Sequence, residues 1–213
     1  MKYNELNPDQ KEKARNKIRE FNTSATHETF EWICEAFKED CRLIGLEITD
    51  YNYCISHSQG DGASFAGYLD HVHLSPDQVK ALPYWLQPYY QRLEEARIEL
   101  FQYLATDPHH YVEDGDYSSL KHCYDFALSY AVRLGSSCRY QNELSMFFDG
   151  STEDMPEKLD SGLLDLFREM AQELHKRLES EDLYRNLDET IEDDIQANEY
   201  DFTPSASIDS ILI

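Results

Sequence analysis

Two periodicities alternate along the chain. Between Glu28 and Leu43 a 3.6-residue period predicts a helix whose apolar stripe is Phe30, Ile33, Cys34, Phe37, Cys41 and Ile44. Gly45 follows as the expected left-handed terminator. Asn7-Pro8-Asp9-Gln10 reads as an earlier helix start: Asn7 caps, Pro8 takes the first helical position and Gln10 stands at capping-box spacing. That helix is expected to reach about Phe21. Its exposed face carries the basic cluster Lys11, Lys13, Arg15, Lys17 and Arg19, diluted by Glu12 and Glu20. Ser75-Pro76-Asp77-Gln78 repeats the start signature, Pro83 and Pro88 interrupt, and a longer helix is expected from Tyr89 to Ala105, with Leu93, Ile98, Leu100, Phe101 and Leu104 apolar. Ser161 is expected to cap a long helix to about Leu183, with Leu163, Phe167, Met170, Leu174 and Leu178 as its stripe. A last helix, Asp188 to Ala197, would turn Leu187, Ile191 and Ile195 inward and stop at Asn198.

A period of two intervenes after Gly45. Leu46, Ile48, Tyr51, Tyr53 and Ile55 suit a strand, with a turn or bulge near Asp50 and Asn52. Gln59-Gly60-Asp61-Gly62 marks a tight turn, and Phe65 to His73 reads as the returning strand, so Tyr51 to His73 is expected to be a β-hairpin. Alternation of Tyr124, Phe126, Leu128 and Tyr130 favours a strand within 119–132, and Asn142 to Phe148 suits another. Asp149 to Pro156 reads as a polar loop. The expected class is α+β: a small antiparallel sheet of three to four strands covered by about five helices, forming one domain over 1–203 with a tail over 204–213.

Apolar residues make up 41% of the 213 and aromatics 13%, too many for a disordered chain. No apolar run approaches the roughly 18 residues of a membrane helix, and no apolar stretch follows Met1 to Glu5 as a secretory signal would require. The five cysteines are Cys34, Cys41, Cys54, Cys123 and Cys138. Cys34 and Cys41 lie two helical turns apart, about 10 Å, too far for a disulfide. The set reads as small buried hydrophobes in a reducing cytoplasm.

Charge changes the picture most. Forty-two acids against 19 bases leave a net of −23, which excludes the basic footprint of a nucleic-acid binder. From Glu181 to Ile213 there are ten acids and one base, Arg185. Asp188, Glu189, Glu192 and Asp193 repeat at three- and four-residue spacings, with Asp194 beside them. A compact chain of this length is about 44 Å across, and duplex DNA of that length carries about 26 charges. The protein's total is comparable. A surface competing with DNA for a basic groove would be steered to it electrostatically.

Other constellations carry less chemistry. The glycines of the 59–62 turn permit positive φ, but no Lys and Ser/Thr follow in a phosphate-loop pattern. Their plain role is a hairpin turn, with Gln59, Gly60, Asp61 and Gly62 available to a partner. His71 and His73 would share a strand face opposite His57, which makes a metal site geometrically possible. His57, Ser58 and Asp61 are too close in sequence to converge as a triad, and no nucleophile elbow is present. We therefore expect no catalytic residues, no metal and no cofactor.

Three stretches resemble a family of small acidic proteins carried by bacteriophages and mobile elements. They are Tyr3-Asn4-Glu5-Leu6 with Asp9 to Arg15; Phe37-Lys38-Glu39-Asp40, Gly45 to Ile48 and Ser58-Gln59-Gly60-Asp61-Gly62-Ala63-Ser64-Phe65; and Ile191, Ile195 and Ala197 to Thr203. The Ser-Gln-Gly-Asp-Gly-Ala-Ser-Phe element is the most specific. The chain departs from the family at Pro204-Ser205-Ala206-Ser207 and adds an apolar tail, Ile208 to Ile213. The resemblance implies a phage or plasmid gene expressed in the cytoplasm of a bacterial host; some members are labelled antitoxin-like. The expected function is a non-enzymatic accessory protein that binds and inhibits a basic, nucleic-acid-handling host defence protein by imitating DNA charge. Its partner residues would be Gln59 to Gly62 together with Asp188, Glu189, Glu192, Asp193 and Asp194. No direct nucleic-acid or membrane partner is expected, and the apolar tail offers a contact for a homodimer. The alternatives are an antitoxin-like neutraliser of a basic toxin and a metal-dependent enzyme around the 57–73 hairpin.

Overall fold

Helix-start chemistry, apolar stripes and one hairpin account for most of the architecture. The computed structural model describes residues 1–24, 26–55, 61–69, 72–106, 132–134, 144–148, 151–153 and 157–203. Its helices are α1 (Pro8–Ser24), α2 (Thr26–Arg42), α3 (Pro76–Ala81), α4 (Gln87–Thr106), α5 (Glu157–Arg185) and α6 (Asp188–Ala197), preceded by a 3₁₀ turn, Tyr3–Glu5. The strands are β1 (Leu46–Cys54), β2 (Gly62–Leu69), β3 (Val132–Leu134), β4 (Leu144–Phe148) and β5 (Ser151–Glu153). The class is α+β with antiparallel pairing, and the strands divide between a β1–β2 sheet and a β3–β4–β5 sheet. No helix among the described residues is long and apolar enough to cross a membrane.

Both expected capping boxes form. The Gln10 N–H donates to Asn7 Oδ1 across 2.9 Å and the Asn7 N–H donates to Gln10 Oε1 across 3.0 Å. Ser75 and Gln78 exchange the same pair of bonds at the start of α3. Each box satisfies two N–H groups that a helix start leaves without partners. The whole predicted stripe of α2 is buried, and Gly45 takes φ 83°. The long helix departs from expectation. α5 begins at Glu157, so Ser161 lies inside it. Glu157, Lys158 and Leu159 are good helix formers, so the helix starts one turn ahead of the serine.

Two compact units emerge, Met1–Ile33 with Lys176–Ile213, and Cys34–His175, and α2 and α5 contribute residues to both. The first unit has a core of Tyr3, Leu6, Ala14, Ile18, Ile191, Ile195 and Phe202. Residues 1–2 and 201–202 meet there: Lys2 bridges Asp201, and the Phe202 N–H donates to the Met1 carbonyl across 2.9 Å.

The second unit is organised by aromatic rings. Phe37 stacks on Trp85 at 5.3 Å and meets Phe65 at 6.0 Å, and Phe65 meets Phe167 edge-on at 6.4 Å. The Trp85 indole N–H donates to Asp40 Oδ2 across 2.9 Å, so the half-buried ring has its polar edge satisfied. In the β1–β2 hairpin, Ile48 opposes Gly67 and Asp50 opposes Ala66, which leaves Thr49 as the extra residue of a bulge. The bulge moves the inward face from even positions (Leu46, Ile48) to odd ones (Tyr51, Tyr53). That parity change is the one the sequence alternation already contained. The residues between the strands that include Gln59 and Gly60 lie outside the described residues, as do most of 119–132 and all of 204–213.

Two side-chain expectations are corrected, at Leu187 and Cys54. Leu187 is exposed where an inward position was expected, and the apolar Ile98 of α4 is exposed as well. Ile98 falls off the buried side of α4, and Leu187 is the N-cap of α6, whose extended backbone (φ −65°, ψ 141°) turns its side chain out of the helical register with Ile191. Cys54 is exposed at the end of β1, whereas Cys34 and Cys41 are buried as expected.

Candidate functional site

The acidic segment condenses onto α6, whose buried side is Ile191 and Ile195. At 100° per residue, Asp188 and Glu192 lie on the flank towards α1, Glu189 and Asp193 point outward one turn apart, and Asp194 lies on the other flank.

The flank towards α1 is neutralised from within. Arg15 Nη1 donates to Glu192 Oε1 across 2.7 Å, and its Nε lies 3.5 Å from Asp188 Oδ2. The Tyr3 hydroxyl donates to the same Glu192 oxygen across 2.9 Å and accepts from Arg15 Nη1 at 3.3 Å. Arg19 pairs with Asp188 and donates through Nε to the Asn186 carbonyl. Arg15 is held protonated more firmly than a free arginine, first by its hydrogen bond to Glu12 and then, against the effect of burial, by Glu192 and Tyr3. Tyr3 ionises above its ordinary range because burial and the bond to Glu192 both disfavour the phenolate.

This corrects the placement of Arg15 and Arg19 on the mixed exposed face of α1, where Lys13 and Lys17 do stand exposed. Arg15 is only 16% exposed, and with Arg19 it serves the packing of α1 against α6. Of the five acids expected to face a partner, Asp188 and Glu192 are therefore engaged inside the fold. Glu189, Asp193 and Asp194 are exposed, with no ion pair among the described residues. Asp188 and Glu189 also stand in the first turn, where negative charge complements the helix dipole.

Sequence reasoning missed the apolar neighbours of this surface. Leu183, Tyr184 and Leu187 are each more than half exposed at the corner between α5 and α6. Leu187 had a signal: helix N-caps favour Ser, Thr, Asp or Asn, and leucine offers no cap.

The hairpin candidates are placed only in part. Asp61 and Gly62 are half-buried at the start of β2, and Cys54 Sγ lies 3.6 Å from Asp61 Oδ1. Gln59, Gly60, His57 and His71 lie outside the described residues. His73 is exposed, with Nδ1 3.9 Å from Glu94 Oε2. Among the described residues no group of three or more His, Cys, Asp or Glu side chains is placed to hold a metal. A cleft of about 180 Å³ is lined by Arg92, Glu95, Ala96, Glu99, Gly162, Leu163 and Leu166. That is below the roughly 300 Å³ at which small-molecule pockets begin.

Residues 30–188 match a family described as a domain of unknown function, DUF8835. The chain belongs to that family. The matched span begins on α2, includes the β1–β2 hairpin and α5, and ends at Asp188, the first residue of α6. No curated protein and no solved structure matches the chain.

Proposed function

We propose that this protein acts by binding, as an acidic partner of a basic, nucleic-acid-handling protein of a bacterial host, and that it blocks that protein by occupying the groove meant for nucleic acid. The supporting observation is the outward pair Glu189 and Asp193 on α6. Arg15 and Arg19 of α1 are taken up by Glu192 and Asp188. The outward carboxylates are thus left to act on the surroundings, within a chain of net charge −23. Clustered carboxylates facing a basic groove speed association and make it salt-sensitive. The resemblance to acidic phage and mobile-element proteins supports a host defence protein as the target. An antitoxin-like role would use the same surface against a basic toxin encoded beside it.

The test is retention of host proteins on the immobilised full chain from nuclease-treated lysate, at ionic strengths from about 50 to 500 mM. We expect the retained protein to be basic, to elute as salt rises, and to lose its nucleic-acid-directed activity when bound. Affinity that does not change with salt would remove this mechanism. A metal-dependent activity around His57, His71 and His73 is tested separately, by metal analysis of the purified protein and by His71→Ala.

A further inference from the structure

Leu187 is expensive where it stands. It occupies the N-cap of α6, where its side chain satisfies no helix N–H, and it is 54% exposed, so it does not serve the core either. Leu183 and Tyr184 beside it are 55% and 58% exposed. The Leu187 N–H donates to the Tyr184 carbonyl across 3.2 Å, so a tight turn follows α5 and keeps the three exposed side chains within five residues of chain at the corner with α6. Three such side chains make a patch on the order of 300 Å², the size at which a patch on a monomer is often functional. Glu189 begins two residues beyond Leu187, and Asp193 stands one turn further on the outward face of α6.

From this juxtaposition we propose that Leu183, Tyr184 and Leu187 form the seat for an amphipathic, lysine- and arginine-rich helix of a protein partner. Its apolar residues would rest on the corner and its basic residues would reach Glu189 and Asp193. The inference rests on the reading of a basic partner and adds what that partner must present. Charge chooses the occupant: a second copy would bring another −23 to an acidic edge, whereas a basic amphipathic helix is complementary in both its apolar and its charged face. An extended basic chain would satisfy the carboxylates and leave the corner uncovered.

The experiment uses the full chain and two synthetic peptides of equal length and charge. One is a leucine–lysine amphipathic helix, the other a lysine–glycine chain that cannot form one. We expect the helix to bind at least about tenfold tighter, with Leu183→Ser and Leu187→Asn each abolishing that preference and Glu189→Gln with Asp193→Asn weakening both peptides. Leu187→Asn supplies the missing cap, so its thermal midpoint should rise by about 2–4 °C and lost binding cannot be ascribed to misfolding. Equal affinity for the two peptides would overturn the seat while leaving the basic-partner reading in place. Binding of neither would overturn both. A concentration-dependent dimer in sedimentation that Leu187→Asn dissociates would assign the corner to a second copy and overturn the proposal.

Discussion

Arg15 and Glu192 meet across 2.7 Å although 177 residues separate them in sequence, and the Tyr3 hydroxyl bonds the same carboxylate oxygen. This contact joins the first helix to the last and decides which acids of α6 remain outward. Replacing Glu192 with Ala should lower stability by about 1–2 kcal/mol, allowing for solvent screening of a partly exposed carboxylate. Glu189→Ala, one turn away and outward, should stay within about 0.5 kcal/mol. Urea denaturation of the two variants checks the difference.

Tyr3 also predicts an alkaline limit. Its folded-state ionisation lies above the ordinary 10.0, chiefly through burial. A group raised in this way contributes stability that is fully present below its unfolded value and is lost as pH rises through the folded one. Stability of the full chain should therefore fall above about pH 10. Tyr3→Phe should remove that component and cost about 1 kcal/mol at neutral pH through the lost bond to Glu192. Tyrosinate absorbance followed with pH distinguishes the two proteins.

Glu47 carries the opposite sign. Its hydrogen bonds to Arg42, at 2.8 and 2.9 Å, hold its carboxyl below the ordinary 4.5. Its contribution is present above that value and lost as pH falls through the folded one. The pair is exposed, so the effect on overall stability should be small. NMR titration should show Glu47 returning towards its ordinary range in Arg42→Gln.

Gly67 should tolerate no side chain. A Cβ there would stand 2.1 Å from the Glu47 carbonyl oxygen, which is backbone and cannot swing aside. Gly67→Ala should cost about 2–4 kcal/mol by forcing the two strands apart beside the bulge. Gly62→Ala in the same strand, with nothing within 4 Å of its Cβ, is the control. Thermal unfolding of both variants reads the outcome.

Helix starts should respond in proportion to the bonds they lose. Asn7→Ala and Ser75→Ala each remove the acceptor of a capping box and should cost about 1 kcal/mol. The check is calorimetric, and a change below about 0.3 kcal/mol in both would show that tertiary packing alone sets where α1 and α3 begin.

What the sequence determined by itself is local. The caps at Asn7 and Ser75, the buried stripe of α2, the terminator at Gly45, the strand with its bulge and the bounds of α6 depend on residues within a few positions of one another. Their chemistry is therefore readable along the chain. Tertiary structure alone decided the rest. Arg15 and Arg19 are distant in sequence from the acids they neutralise, so no spacing rule could separate Asp188 and Glu192 from Glu189 and Asp193. The clash that reserves Gly67 comes from the partner strand, and Leu187 faces solvent because the turn after α5 places it ahead of the buried side of α6. Burial and pairing are set by what lies across the fold, and a linear sequence does not state that.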